Sequence, residues 1–265
     1  MDNIQSNVPQ PVRQFKKDAL NVEIFESQPA MALNAAHTVR NYLISQLEAN
    51  GSVRAILATG NSQIQFLKTL IDLGGVDWSR VTLFHMDEYL GISETHKASF
   101  RLYMKERVES LVKPQNFHYL IGDAPLPLDE CERYSKLLQE APIDLCCLGV
   151  GENGHIAFND PPVADLRDPH LVKLVKLDDA CKIQQVNEGH FPSLEAVPPY
   201  AFTLTIPALC TAKKMICLSP ETRKAKAVQA ALEGEIGTLC PASALREQSQ
   251  ATIYLDQDSS ALLGQ

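Results

Sequence analysis

Short apolar runs alternate with longer amphipathic stretches along most of this 265-residue chain. Helical periodicity fills much of the sequence between the apolar runs, at 29–49, 62–73, 98–111, 128–140 and 221–232. The runs themselves have the length and composition of buried strands, and they lie at 22–27, 53–59, 80–86, 143–150, 201–206, 213–219 and 251–256. This alternation predicts an α/β fold with a Rossmann-like, mostly parallel sheet and helices on both faces.

The pattern is different at the N-terminus. Residues 1–19 are polar, contain Pro9 and Pro11 and show no clear period, so we interpret them as a flexible arm or an oligomer contact. No internal repeat and no Gly/Ser-rich linker divides residues 20–265. We therefore expect one domain over 20–265, and the composition leaves room for a homo-oligomer.

Charge and cysteine usage narrow the class of protein. The net charge is −8 and the basic residues are scattered, which argues against nucleic acid and acidic membranes as partners but allows a small anionic ligand. No apolar run approaches the roughly 20 residues that span a bilayer, and the first residues lack the apolar core of a signal peptide. Cys146 and Cys147 would point to opposite faces of one strand, as buried thiols do. We predict a cytoplasmic protein with reduced cysteines.

Ligands of such sheets bind beyond the carboxyl ends of the strands, so the residues that follow each strand carry the candidate chemistry. The first such segment is a short polar loop between a strand that ends at Ala58 and a helix that begins near Ser62. Free N–H groups and the helix dipole favour an anion there, typically a phosphate. The loop residues are Thr59, Gly60, Asn61 and Ser62. A plain helix cap is the alternative interpretation.

A second segment places Asp87 and Glu88 directly after a very apolar strand. Neighbouring side chains on an extended backbone point in opposite directions, so we expect one of the two to face the cleft. A carboxylate near an apolar sheet edge has a raised pKa, which suits a general base for carbon acids. A solvated acidic turn or a helix cap would also explain the pair.

The third segment contains a formal match to the dinucleotide-binding pattern G-x-G-x-x-G. Its glycines are Gly149, Gly151 and Gly154. The pattern requires a long helix after the last glycine, but Pro161 and Pro162 end any helix within two turns. We therefore exclude a dinucleotide cofactor.

What remains is a glycine-rich turn that presents Asn153, His155 and Asp160 within eight residues. A lone histidine is usually structural, but one flanked by an amide and a carboxylate in a glycine turn suits acid–base work. No C-x-x-C or paired histidines provide the spacing of zinc ligands, so we predict no metal.

Four segments now carry a resemblance. In order and spacing, LATGNS, FHMDEYLGI, GVGENGHIAFNDP and SPETRKAKAVQAALEG resemble the motifs of the glucosamine-6-phosphate deaminase (isomerase) family. The resemblance covers about residues 25–256. It implies a Rossmann-like α/β sandwich, a small amino-sugar phosphate as substrate, and an aldose–ketose isomerisation with loss of ammonia that uses neither metal nor cofactor.

The resemblance also implies roles. Asp87 corresponds to the base that moves a proton between C2 and C1 of the opened sugar, and His155 to the group that opens the pyranose ring. Asn153 and Asp160 complete the predicted catalytic set. The phosphate site corresponds to residues 59–62 and Lys224, and Lys224 opens a helix. We include Glu88 and Gly151 among the substrate-binding residues.

The chain departs from the best-known members at four points. The serines that help form their allosteric phosphate site are replaced by Val163 and Ala164. Their Asp before Gly-His is Asn153 here, which can accept the imidazole N–H but carries no charge. Their later Glu is the shorter Asp160. Their arginine near the phosphate has no clear counterpart, and Lys182 or Gln185 falls in that region. These changes leave the sugar epimer open and are compatible with galactosamine 6-phosphate or another amino-sugar phosphate.

Two other functions compete with the deaminase. A 6-phosphogluconolactonase-like hydrolase shares the fold and the phosphate loop, but attack of water on a lactone has no need of a base at C2. A non-catalytic sugar-phosphate sensor is the second alternative, and the absence of a basic face weighs against a DNA-bound regulator. Asp87 and the HIAFND segment favour the deaminase.

Overall fold

A computed structural model describes residues 8–264. Its strands are β1 Arg13–Lys17, β2 Leu20–Phe25, β3 Val53–Leu57, β4 Val81–His85, β5 Asp87–Tyr89, β6 Asn116–His118, β7 Leu145–Gly149, β8 Val172–Lys176, β9 Tyr200–Leu204, β10 Lys214–Leu218 and β11 Ala251–Asp256. Its α-helices are α1 Gln28–Asn50, α2 Asn61–Leu73, α3 Phe100–Met104, α4 Ser110–Val112, α5 Pro127–Gln139, α6 Asp179–Asn187, α7 Ile206–Cys210 and α8 Ala225–Glu233. A π-helical segment, Lys105–Glu109, joins α3 to α4.

The main sheet has eight strands in the order β1-β2-β11-β10-β7-β3-β4-β6. All neighbouring pairs are parallel except β1 and β2. The chain winds outward from β3 through β4 to β6, then returns to β7 and winds the other way through β10 and β11. The carboxyl ends of β3 and β7 therefore flank the point at which the winding direction reverses, where open α/β sheets bind ligands.

Helices cover both faces of this sheet, as the sequence pattern predicted. The core on one face contains residues of α1 and α2, and the core on the other contains residues of α5 and α8. Cys146 belongs to one core and Cys147 to the other, which confirms that their side chains point to opposite faces of β7. The seven cysteines are all free thiols.

A second, antiparallel sheet carries part of the candidate site. Its strand order is β5-β9-β8, and Asp87 on β5 lies opposite Thr203 on β9. The sequence pattern placed the run at 201–206 in the parallel sheet, which is wrong. Its apolar residues instead pack in this smaller sheet, whose short partners β5 and β8 were not predicted as strands.

The N-terminal region differs from expectation in part. Arg13–Lys17, within the predicted arm at 1–19, form β1 and pair antiparallel with β2. Three of the five β1 residues are exposed, so this edge strand lacks the apolar run by which the other strands were recognised. Residues 1–7 lie outside the described residues, and the single domain over 20–265 stays a prediction. Within residues 8–264, no helix is both long and apolar enough to cross a membrane.

Candidate active site

A cavity lies at the carboxyl ends of four adjacent strands of the main sheet, β10, β7, β3 and β4. Most of the site residues predicted from sequence line it together: Thr59, Gly60, Asn61, Ser62, Asp87, Gly151, His155 and Lys224. Asn153 and Asp160 do not line the cavity but contact or adjoin His155. Glu88 does not line it either.

The polar loop after β3 exposes the start of α2 to the cavity. Gly60 has a φ of 99°, a left-handed conformation that glycine adopts without strain. No side chain caps the first turn of α2, so the interpretation of this loop as a plain helix cap is wrong. The Tyr103 hydroxyl donates to the carbonyl of Gly60 at 3.0 Å and fixes the loop. Backbone N–H groups at this helix start are available to an anion.

Lys224 lies directly before α8 and lines the same cavity. Its side chain is buried, and within residues 8–264 no carboxylate lies within 4.0 Å of its ammonium group. Burial, with a smaller contribution from the neighbouring Arg223, lowers the pKa of Lys224 to about 8. A buried ammonium without an internal counter-ion suits a dianionic ligand such as a phosphate.

Asp87 is the first residue of β5, which follows β4 closely in the chain. It is buried, and it lines the cavity. Its Oδ1 has no hydrogen-bond partner among the described residues. Burial, followed by the charge of Glu88, raises the pKa of Asp87 well above its ordinary value. A desolvated carboxylate without donors is a strong base, as a carbon acid requires.

Glu88 points away from the cavity and organises a loop. Its carboxylate accepts hydrogen bonds from the backbone N–H groups of Tyr89, Phe100 and Arg101 at 3.0, 3.1 and 2.9 Å. It also accepts from the Ser99 hydroxyl at 2.8 Å. The expectation that one of the two carboxylates faces the cleft is thus met by Asp87, and the assignment of Glu88 to substrate binding does not fit this geometry.

His155 and Asp160 form a buried pair beside the cavity. Nδ1 of His155 lies 3.0 Å from Oδ1 of Asp160. Burial tends to raise the pKa of Asp160, but His155, Asn153 and the backbone N–H of Asp178 together hold it below its ordinary value. Asp160 is therefore charged, and it places a negative charge beside the imidazole ring of His155.

Asn153 acts differently from the sequence-based expectation. Its Oδ1 accepts the backbone N–H of His155 at 3.1 Å rather than the imidazole N–H. Its Nδ2 donates to Oδ1 of Asp160 at 3.0 Å. The amide thus holds the backbone of His155 and the carboxylate of Asp160 in one arrangement, and the full negative charge of the pair resides on Asp160.

Gly151 makes room for the imidazole ring. A Cβ atom at this position would lie 2.2 Å from Cε1 of His155, closer than any real contact. The Gly151 N–H also donates to the carbonyl of His155 at 2.9 Å. A glycine at position 151 is required for the imidazole ring to approach the backbone this closely. The G-x-G-x-x-G match does not reveal this constraint.

Cys181 on α6 joins the His155–Asp160 pair. The side-chain N, O and S atoms of the three residues lie within 4.8 Å of one another, a grouping that the sequence spacing did not predict. The oxygens of Asp160 already accept hydrogen bonds from Asn153 and Asp178. Burial raises the pKa of the Cys181 thiol well above its ordinary value, so Cys181 adds an uncharged neighbour to the pair.

Sequence reasoning did not recognise α6 as a helix, and of the wall that α6 contributes to the cavity it named only Gln185. Gln184, Gln185, Glu188, His190 and Arg223 also line the cavity. Arg223 forms ion pairs with Glu188 at 2.5 Å and with Glu152 at 3.0 Å. The sequence feature that could have identified Arg223 as a cavity residue is its position next to Lys224, a predicted phosphate ligand.

The structure separates the two candidates for the region of the missing arginine. Gln185 is buried and lines the cavity. Lys182 forms an ion pair with Asp179 at 2.6 Å and is not among the lining residues.

Comparison with known proteins identifies the family of this chain. A family model described as "Glucosamine-6-phosphate isomerases/6-phosphogluconolactonase" matches residues 26–254. A glucosamine-6-phosphate deaminase from Exiguobacterium sibiricum is 35% identical over 188 residues, 71% of this chain and 73% of that protein. Another from Bacillus cytotoxicus is 31% identical over 243 residues, 92% of this chain and 89% of that protein.

Solved structures agree as well. A monomeric glucosamine-6-phosphate deaminase has a TM-score of 0.84 and 28% identity, covering 91% of this chain and 99% of that one. A 6-phosphogluconolactonase from Shewanella baltica has a TM-score of 0.73 at 16% identity, covering 89% and 96%, which is a likeness of fold alone. The chain therefore belongs to the glucosamine-6-phosphate isomerase/6-phosphogluconolactonase family.

Proposed function

We propose that this protein converts a 2-amino-2-deoxyhexose 6-phosphate and water to a ketohexose 6-phosphate and ammonia. Glucosamine 6-phosphate or an epimer of it is the substrate. The relatives named as glucosamine-6-phosphate deaminases support this reaction. One observation of this chain carries the proposal: the carboxylate of Asp87 is buried on the cavity and its Oδ1 has no donor among residues 8–264.

The chemistry follows from that carboxylate. In the open-chain sugar, the C1 aldehyde acidifies the C2 proton. Asp87 removes that proton while the C2 ammonium group of the substrate passes one to the C1 oxygen, which gives an enolamine. The same carboxyl group then returns the proton to C1, which leaves an imine at C2. Water adds to that imine and ammonia departs, so the carbon skeleton becomes a 2-keto sugar. The raised pKa of Asp87 favours removal of the C2 proton, and the same proton is then released to C1.

The His155–Asp160 pair serves the step before this one. Opening of the pyranose ring needs a proton on the ring oxygen and loss of one from the C1 hydroxyl. The imidazole of His155, beside the charged carboxylate of Asp160, is the group that can donate and accept these protons. The 3.0 Å separation of Nδ1 from the Asp160 oxygen leaves the other ring nitrogen for the sugar.

The phosphate is placed by two groups on different loops. The N-terminus of α2 supplies N–H donors and a positive dipole end, and Lys224 supplies a point charge. Anchoring the far end of the sugar there fixes C1 and C2 relative to Asp87, which lowers the entropic cost of reaction.

The test is ammonia release by the purified protein from glucosamine, galactosamine and mannosamine 6-phosphates, with the ketose phosphate measured in parallel. We expect equal amounts of ammonia and ketose phosphate from at least one epimer, unchanged by a chelator. Acid release from 6-phosphogluconolactone without ammonia would support the hydrolase instead. Tight binding of an amino-sugar phosphate without turnover would support the sensor.

A further inference from the structure

Two adjacent glutamines on α6 line the cavity, and their carboxamides are used differently. Oε1 of Gln184 accepts the backbone N–H of Glu152 at 3.0 Å, and its Nε2 donates to Glu188 at 2.9 Å. Both ends of Gln184 are thus engaged by the protein. Gln185 has a single side-chain hydrogen bond within residues 8–264, in which the Tyr89 hydroxyl donates to its Oε1 at 2.6 Å.

That hydrogen bond determines which end of Gln185 is free. Because Oε1 accepts the tyrosine proton, Nε2 is the part of the carboxamide that remains without an acceptor among the described residues. The residue is 94% buried, at a relative exposure of 6%, and it lines the cavity. Because Gln185 lines the cavity, the acceptor for its N–H₂ group has to come from water or from a bound ligand.

The tyrosine that orients Gln185 is itself held rigidly. Its ring is fully buried, and its centroid lies 5.0, 5.3 and 5.1 Å from those of Phe100, Phe158 and Phe191. Burial raises the pKa of Tyr89 well above its ordinary value, so the hydroxyl stays protonated and donates. The orientation of Gln185 therefore does not depend on pH in the neutral range.

Tyr89 also connects Gln185 to Asp87. Asp87 and Tyr89 lie two residues apart on β5, so their side chains lie on the same face of the strand. A shift of β5 would move the base and the hydroxyl that holds Gln185 together. The group that holds the sugar and the group that deprotonates it thus share one rigid frame.

We propose that Gln185 is a substrate-positioning residue, whose Nε2 donates to a hydroxyl oxygen of the bound sugar while Tyr89 fixes its orientation. This inference rests on the proposed function for the identity of the sugar. A neutral donor suits a hydroxyl, since the phosphate already has Lys224 and the start of α2. The residue thereby contributes to the choice among hydroxyl patterns, which is the choice among epimers.

The test measures binding of an open-chain 2-amino-2-deoxyhexitol 6-phosphate, which has no carbonyl and cannot react, together with its 3-, 4- and 5-deoxy analogues. We expect Gln185→Leu to weaken the parent hexitol about 10-fold, the upper part of the range for one hydrogen bond. For one analogue, the one that lacks the recognised hydroxyl, wild type and Gln185→Leu should bind within about 2-fold. Equal weakening of every analogue, or of none, would overturn the proposal.

Further variants separate donation from packing. Gln185→Glu keeps the shape and the acceptor for Tyr89 but removes the N–H₂ group, so it should lose as much affinity as Gln185→Leu. Retained affinity in Gln185→Glu would overturn the assignment of a donor. Tyr89→Phe should weaken binding in the wild-type background and have no further effect in Gln185→Leu, whereas additive losses would refute positioning by Tyr89. Tyr200→Phe, at a half-exposed tyrosine, is the matched control.

Ammonia release by the wild-type protein reports separately on the reaction. If binding of the hexitol and its deoxy analogues follows the expected pattern but no ammonia appears, the role of Gln185 stands and the proposed reaction fails. If ammonia appears but Gln185→Leu shows no loss of affinity that depends on one hydroxyl of the hexitol, the reaction stands and the role of Gln185 fails. A wild-type protein that does not bind the hexitol contradicts the role of Gln185.

Discussion

Oδ1 of Asp160 lies 3.0 Å from Nδ1 of His155 and accepts a hydrogen bond of the same length from Asn153. The carboxylate of Asp160 thus contacts both His155 and the Asn153 amide that holds the His155 backbone. Asp160→Asn removes the charge while keeping the shape, so the imidazole of His155 loses its charged partner. We expect kcat on the cyclic substrate to fall on the order of 10²-fold. Turnover of a substrate supplied in the open-chain form should be affected least, because that form needs no ring opening. An unchanged kcat on the cyclic substrate would remove the pair from ring opening.

The same carboxylate makes stability depend on pH. Its pKa in the folded protein lies below the ordinary value of 3.8, so Asp160 stabilises the fold fully above that value. The contribution is lost as the pH falls through the lower, folded-state pKa. We expect the difference in free energy of unfolding between wild type and Asp160→Asn to be constant from pH 7 to 5 and to shrink below pH 4. Urea titrations across that range measure it, and a difference that grows with acid would contradict the account.

Lys224 gives the opposite dependence. Its pKa is about 8 in the folded protein against 10.5 in the unfolded chain, so the unfolded chain binds the extra proton between those values. Stability should therefore rise with pH from 8 to 10.5, and Lys224→Met should abolish the rise. The same titration should lower kcat/KM of wild type above pH 8, because a neutral amine no longer attracts the phosphate. A flat alkaline profile of kcat/KM would exclude Lys224 from substrate binding.

Glu88 is expected to matter for stability rather than for turnover. Its side chain is fully buried and accepts four hydrogen bonds from residues 89 and 99–101. Glu88→Ala should lower the free energy of unfolding by about 3–5 kcal/mol, since it leaves buried N–H and O–H donors without an acceptor and removes one of the two carboxylates beside Arg101. The KM of the folded fraction should change little. A large increase in KM at constant stability would restore Glu88 to the substrate site.

Gly151 offers a steric test of His155. Gly151→Ala places a methyl group 2.2 Å from Cε1 of the imidazole, so the ring has to move. We expect kcat to fall more than 10-fold with little change in phosphate affinity, which depends on other loops. Gly237→Ala is the matched control, because a Cβ there meets nothing within 4 Å. Equal activity of the two variants would show that the position of His155 is unimportant.

The sequence predicted the sheet and most of the cavity because each depends on a local pattern. Parallel strands buried on both faces produce apolar runs, and the loops after β3, β4 and β7 carry polar residues of recognisable type. The start of α2, Asp87 and His155 meet in space because the ends of parallel strands share one edge of the sheet.

Other features depend on contacts that no local pattern contains. β5 has three residues and was invisible as a strand, so Glu88 was counted with the cavity when its partners lie at residues 99–101. α6 was not recognised as a helix because its apolar positions are few. The hydrogen bond between Tyr89 and Gln185 joins residues 96 positions apart, which spacing alone does not reveal.

The most direct test of the account is exchange of the C2 hydrogen of the substrate with solvent, followed in wild type and in Asp87→Asn. The amide keeps the shape of the carboxylate and removes the base. We expect exchange and kcat to fall by roughly 10²–10⁴-fold, with KM and the melting temperature nearly unchanged, because the phosphate contacts lie on other loops. Near-normal exchange in a folded Asp87→Asn protein would contradict the assignment of Asp87 as the base that carries the reaction.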